Sequence, residues 1–141
     1  MQTNSPTSSN PSKGCIIVTG ASRGIGATIA LGLAQAGFDV GCLSRTGDLP
    51  HIANVTPEIK QRWHAAQCDV SQGEQLEQAF NLIAKQSGKP LVGLVNNAGI
   101  HSQDRIESIT EEEFRRVMDV NAYSVLAASQ AIYPHLLNNQ G

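Results

Sequence analysis

Gly20, Gly24 and Gly26 stand in the spacing G-x-x-x-G-x-G behind Thr19, between an apolar run over 15–18 and an apolar-periodic segment over 25–36. Glycines at this density, where a strand turns into a helix, suit one chemistry: holding a chain of phosphates against main-chain N–H groups. Gly20 can take turn angles that a side chain forbids. Gly24 lets the main chain approach a pyrophosphate, and Gly26 lets the new helix pack hard against the strand. Ser22, Arg23 and Ile25 complete the candidate loop, and the helix would aim its free N–H groups and positive end at the phosphates. A plain tight turn between strand and helix is the alternative, and the flanking strand and helix patterns argue against it.

Two further polar clusters follow. Asn96-Asn97-Ala98-Gly99 comes directly after the apolar run 91–95, and Asp119-Val120-Asn121 interrupts a long helical pattern. With Thr19 and the glycine loop, these stretches resemble the short-chain dehydrogenase/reductase family, in that family's order and at about its spacing. The resemblance covers the chain from Gly14 onward and corresponds to the family's N-terminal half; its closest flavour is similar to a carrier-protein-dependent 3-oxoacyl reductase. It implies a Rossmann-type domain over 14–141, truncated after the fourth strand and the following long helix. It implies that Asn97, Ala98 and Gly99 line the cofactor's ribose, with Asn97 the best candidate for the contact. It gives Asp69 and Val70 the adenine edge, with a simple loop aspartate as an equal alternative. It makes Asn121 the catalytic candidate, the support of a water chain that feeds a lysine.

The end of the second strand selects the cofactor. An acidic residue about twenty positions past the glycines would bind the ribose hydroxyls of NAD. Ser44 stands there and Arg45 follows, while Arg23 lies in the glycine loop. Two guanidinium groups on one edge of an adenosine pocket suit a 2′-phosphate, so NADP(H) is expected in preference to NAD(H). Arg45 as a solvated loop residue is the alternative. Asp39 and Asp48 are not well placed.

The elements that position these residues read as strands over 15–19, 39–44, 62–67 and 91–95 alternating with helical segments, so the class is α/β with a doubly wound parallel sheet. The family order and right-handed crossovers give strands 3-2-1-4. Gly37 ends the first helix. A weak helix lies within 45–61, Ser71 and Glu74 read as a capping box for the third helix, and Thr110 and Glu113 as another. The last helical stretch carries Phe114, Val117, Met118, Asn121, Val125, Ser129, Ile132 and Leu136 near one face, with a bend near Asn121 and Pro134 closing or kinking it.

Composition excludes other classes. The 141 residues are 40% hydrophobic and 16% charged, with net charge −2 and no basic run, so a globular domain is expected and nucleic acid is not a partner. No apolar run is long enough for a membrane span. Residues 1–13 are polar and read as a disordered tail without a signal peptide. Cys15, Cys42 and Cys68 lack C-x-x-C spacing and read as buried free thiols in a reducing cytoplasm. The four histidines show no metal-ligand spacing, and His101 reads as a loop residue. Gly88-Lys89-Pro90 is no phosphate loop of the kinase or ATPase type.

The resemblance also implies a Tyr-x-x-x-Lys pair and an upstream serine, which this sequence lacks: Tyr123 is followed four residues on by Ala127, Tyr133 by Leu137, and no lysine occurs after Lys89. The expected function is NADP(H)-dependent hydride transfer to or from a small-molecule or carrier-bound carbonyl, with this chain holding the cofactor and inactive alone. A full-length form would be a homo-oligomer. The rival reading is a non-catalytic dinucleotide-binding or interaction module.

Overall fold

The computed structural model of the chain describes residues 12–140. The expected tail lies outside the described residues except for Ser12 and Lys13; the Lys13 N–H donates to the Gly37 carbonyl at 3.1 Å.

Four strands, β1 (Cys15–Thr19), β2 (Asp39–Ser44), β3 (Trp63–Gln67) and β4 (Leu91–Val95), form one parallel sheet in the order β3-β2-β1-β4. The sequence boundaries hold for β1, β2 and β4 because turn-formers punctuate those apolar runs. β3 starts one residue later than expected, since Arg62 caps the short helix α2 (Pro57–Gln61).

Alternate residues of each strand face opposite layers. Ile17 and Leu43 join a core with Phe80 and Ile83 of α3 (Gly73–Ser87). Val18, Val40 and Cys42 join a second core with Ala30 and Ala34 of α1 (Gly24–Gln35). Small residues let α1 come close, and the buried Trp63 indole donates to the Ala30 carbonyl at 3.1 Å. Helix α1 closes as expected at Gly37 (φ +98°), with the N–H groups of Gly37 and Phe38 returning to the Ala34 and Leu33 carbonyls.

The capping box at Ser71 and Glu74 does not form. The Ser71 hydroxyl donates instead to the Asp69 carboxylate at 2.7 Å, and the N-cap of α3 is Gln72 without a side-chain bond. A short side chain beside an aspartate finds that local partner first. At Thr110 the forward half of the box does form, its hydroxyl accepting from the Glu113 N–H at 3.1 Å.

The long helix is continuous from α4 (Glu111–Met118) through a π turn (Asp119–Tyr123) into α5 (Ser124–Asn139). The expected bend thus takes the form of a π turn, whose wider spacing shifts the register of the face beyond it. The expected apolar face holds at Ile132, which is buried, and at Leu136, which packs against the core, and is corrected elsewhere: Ser124, Ala127 and Ala128 are buried beyond the π turn while Val125 is exposed, and Phe114 and Met118, before it, are exposed as well. Ala127 and Ala128 face inward beside Ile132, because α5 lies close against α3 and β4. Pro134 does not close α5, which continues to Asn139.

Candidate functional site

The carboxyl ends of β1, β2, β3 and β4 open into one cleft of about 980 Å³, at the edge of the sheet where ligands of such folds bind. Its centre is the turn after β1. Gly20 (φ +67°) and Gly24 (φ +58°) both take left-handed angles that favour glycine. A Cβ on Gly26 would lie 2.1 Å from the Gly20 carbonyl oxygen, so only glycine lets α1 start this close to the turn, whereas a Cβ on Gly24 would meet nothing within 4 Å. Helix α1 has no side-chain cap and no acidic residue in its first turn. Its leading N–H groups therefore have neither a capping oxygen nor a carboxylate competing for them.

Thr19 fastens this turn to the end of β4. Its buried hydroxyl accepts from the N–H groups of both Asn97 and Ala98 at 3.0 Å and donates to the Val95 carbonyl. The Asn97 side-chain amide returns to the Thr19 and Gly20 carbonyls at 3.0 and 3.2 Å. Asn97 lines the cleft, and with both amide N–H groups spent on the glycine turn, its Oδ1 is the side-chain atom left to meet a ligand. Ala98 and Gly99 continue the same wall.

On the β2 side the wall is Ser44 and Arg45. Arg23, across the glycine turn, lines the same cleft, and among the described residues neither guanidinium has a hydrogen-bond or ion-pair partner. The loop is tied down by the His51 N–H, which donates to the Ser22 carbonyl at 2.8 Å, and by the Ala21 N–H on Leu43. Asp48 accepts from the Thr46 hydroxyl at 2.7 Å and does not line the cleft, so the edge facing the two arginines carries no carboxylate from this loop.

Asp69 and Val70 line the adjoining part. The Asp69 carboxylate is held by the Ser71 N–H and hydroxyl at 3.0 and 2.7 Å, so this residue both shapes its loop and faces the cleft. Ser22, Ile25, Gly20 and Gly26 also line it. Of the expected cofactor residues only Gly24 lies outside the lining.

Asn121 is not in the cleft wall, and it is exposed rather than buried as its place on an apolar face implied. Its Oδ1 accepts from the Ile100 N–H at 2.8 Å and its Nδ2 donates to the Ile100 carbonyl at 2.7 Å. The amide thereby pins the π turn to the chain just after Gly99. His101 is exposed and does not line the cleft.

The sequence reading missed two parts. One is the Thr19 hydroxyl, whose partners are nearly eighty residues away. The other is the wall formed by α4 and the start of the π turn, where Glu112, Arg115 and Arg116, with Asp119, line the cleft. Helical spacing of these polar residues on one side was the available signal. Arg115 is bonded to Glu111 at 2.7 Å, and Arg116 to Glu113 at 2.7 Å. The Arg116 hydrogen bond holds the Glu113 carboxyl below its ordinary range, and the same bond raises Arg116. Cys68 borders the cleft but is almost fully enclosed, and burial pushes its thiol up to about 11. Among the described residues no group of three or more His, Cys, Asp or Glu could hold a metal ion, and no helix is long and apolar enough to cross a membrane.

The family model described as short chain dehydrogenase matches residues 14–141. Among curated proteins, an oxidoreductase of Methylorubrum extorquens named as uncharacterized is 39% identical over 122 residues, 85% of this chain and 49% of that one. Farnesol dehydrogenase of Aedes aegypti is 41% identical over 120 residues, 83% and 49% of the two chains. A 3-oxoacyl-(acyl-carrier-protein) reductase of Staphylococcus epidermidis is 35% identical over 127 residues, 88% and 51%. Of solved structures, a 3-ketoacyl-(acyl-carrier-protein) reductase of Brucella melitensis complexed with NADH is 29% identical with a TM-score of 0.77, covering 91% of this chain and 52% of that one. The aldohexose dehydrogenase of Thermoplasma acidophilum is 34% identical with a TM-score of 0.73, covering 90% and 46%. The chain spans about half the length of the curated relatives it matches.

Proposed function

The chain belongs to the short-chain dehydrogenase family, and we propose that it is the cofactor-holding part of an NADP(H)-dependent oxidoreductase of that family. One observation carries the cofactor choice: Arg23 and Arg45, neither with a partner among the described residues, both line the cleft, and Ser44 rather than an acid ends β2. That edge favours a 2′-phosphate over two free ribose hydroxyls. The residues present fit a dinucleotide. The cleft lining of Gly20, Ser22 and Gly26 at the uncapped start of α1 suits a pyrophosphate, and Asp69 and Val70 suit the adenine edge. The NADH complex of the Brucella reductase makes NADH the comparator that the proposal has to beat.

When bound, the nicotinamide supplies or accepts the hydride. This chain's residues bind and orient it: the glycine turn holds the phosphates, and Asn97 Oδ1, Ala98 and Gly99 border the ribose. Asn121 acts by fixing Ile100, which sets the backbone that follows Gly99 and supports the proton-handling side of the site. The substrate is a small-molecule or carrier-bound carbonyl or alcohol, as the relatives' names suggest for those proteins. A homo-oligomeric full-length protein is supported by the exposed apolar residues of α4 and α5. The three free, buried thiols suit the reducing cytoplasm.

Proton transfer to the carbonyl oxygen contributes typically about 10²–10⁴-fold to such rates, and this sequence has no Tyr-x-x-x-Lys pair to provide it. The 141-residue chain is therefore expected to bind NADPH but to show no sustained NADPH oxidation with acyl, sugar or steroid ketones. Turnover abolished by Asn121→Ala would overturn the assignment of roles. Absence of nucleotide binding altogether would favour the second reading, an interaction module.

A further inference from the structure

Behind the adenosine edge of the cleft lies a shallow outer groove bordered by Gln67, Gln75 and Gln78. Two of these glutamines reach through to the backbone of cleft residues. Gln67, the last residue of β3, donates from Nε2 to the Arg45 carbonyl at 2.9 Å. Gln75 accepts at Oε1 from the Asp69 N–H at 2.8 Å.

The main chain around Arg45 is held by its neighbours as well. The Ser44 carbonyl before it accepts from the Cys68 N–H at 2.8 Å, and the Ser44 hydroxyl accepts from the Gly47 N–H at 3.0 Å. Gly47 (φ +75°) lies flat against Gln67, where a Cβ would stand 3.3 Å from the Gln67 Cβ and N. The Arg45 side chain, in contrast, is exposed and without a partner among the described residues. A long side chain that must capture an anion loses less freedom on binding when its root is already fixed. Gln67 supplies a side-chain bond that fixes the Arg45 main chain from outside the cleft.

We propose that Gln67 is a positioning residue for cofactor selectivity: it sets the Arg45 guanidinium toward the ribose 2′ position and so strengthens binding of a 2′-phosphate without touching the nucleotide. This rests on the NADP(H) reading above. Gln75, which braces Asp69, serves adenine in the same way and has no part in the 2′-phosphate preference.

The test uses the 141-residue chain and two probes, 2′,5′-ADP and 5′-AMP, titrated calorimetrically. Gln67→Met keeps the length of the side chain and removes its donor. It is expected to weaken 2′,5′-ADP about fivefold, the worth of one ordinary hydrogen bond, and to leave 5′-AMP unchanged. In an Arg45→Ala background the same substitution is expected to change neither affinity. Gln75→Met is expected to weaken both probes alike. Equal weakening of both probes by Gln67→Met would show a merely structural role and overturn the inference, as would no change in either. If Arg45→Ala leaves 2′,5′-ADP affinity intact, or the unsubstituted chain binds neither probe, the NADP(H) reading itself fails and the inference falls with it.

Discussion

Thr19 and Asn97 hold each other in both directions: the Thr19 hydroxyl accepts the Asn97 N–H at 3.0 Å, and the Asn97 amide donates to the Thr19 carbonyl at 3.0 Å. The pair joins the glycine turn to the end of β4, tying two parts of the cleft wall together. Thr19→Val keeps the shape and removes the acceptor for two backbone N–H groups. An unsatisfied buried donor costs roughly 1–3 kcal/mol, so a loss within or above that range is expected. It would appear as a lower urea midpoint at unchanged slope. Thr19→Ser restores the hydroxyl and is expected to recover most of the loss. A Thr19→Val chain as stable as the parent would contradict the pairing.

Cys15, Cys42 and Cys68 are buried, and burial raises their thiols from 9.0 to about 12, about 12 and about 11. The folded chain keeps protons there that the unfolded chain gives up. Their contribution to stability is thus complete below pH 9 and lost as pH rises from 9 through the folded values. Urea midpoints are expected to hold up to about pH 9 and to fall steadily above it. Iodoacetamide is expected to label none of the three in the folded chain and all three in urea. Rapid labelling of the folded chain near neutral pH would show that one of these thiols is open.

Helix α5 is apolar on two sides. Ala127, Ala128 and Ile132 face the core, while Leu126, Tyr133 and Leu137 stay exposed on the other side. Beside it β4 pairs with β1 alone among the described strands. An uncovered apolar face and an unpaired strand edge both favour association. Sedimentation velocity is expected to show concentration-dependent self-association of the 141-residue chain, reduced by Leu126→Glu with Tyr133→Glu while the circular dichroism spectrum is unchanged. A monodisperse monomer with a sharp melt would contradict this.

Local signals carried the strands and the glycine turn into the sequence reading, and long-range ones were lost. Three of the four strands were legible because Gly14, Asp39 and Pro90 mark where apolar runs begin. Gly26 was legible because its tight contact lies within the turn itself. The Thr19 hydroxyl was not, because its partners lie on another strand and no residue type announces that bond. The buried face of α5 was legible at Ile132 and Leu136 but not at Ser124, Ala127 and Ala128, because a π turn shifts register invisibly to a fixed helical period and small residues do not announce burial. Ser71 was misread because capping and a local bond to Asp69 use the same hydroxyl, and the sequence does not rank them.

The central claim is that the cleft prefers a dinucleotide bearing a 2′-phosphate, through Arg23 and Arg45. Titrating NADPH and NADH into the same preparation tests it most directly. A charge-assisted contact of this kind predicts NADPH tighter by roughly tenfold or more, a margin that shrinks with added salt and disappears in Arg45→Ala. Equal affinities for the two nucleotides, or an Arg45→Ala chain that binds NADPH as tightly as the parent, would contradict it.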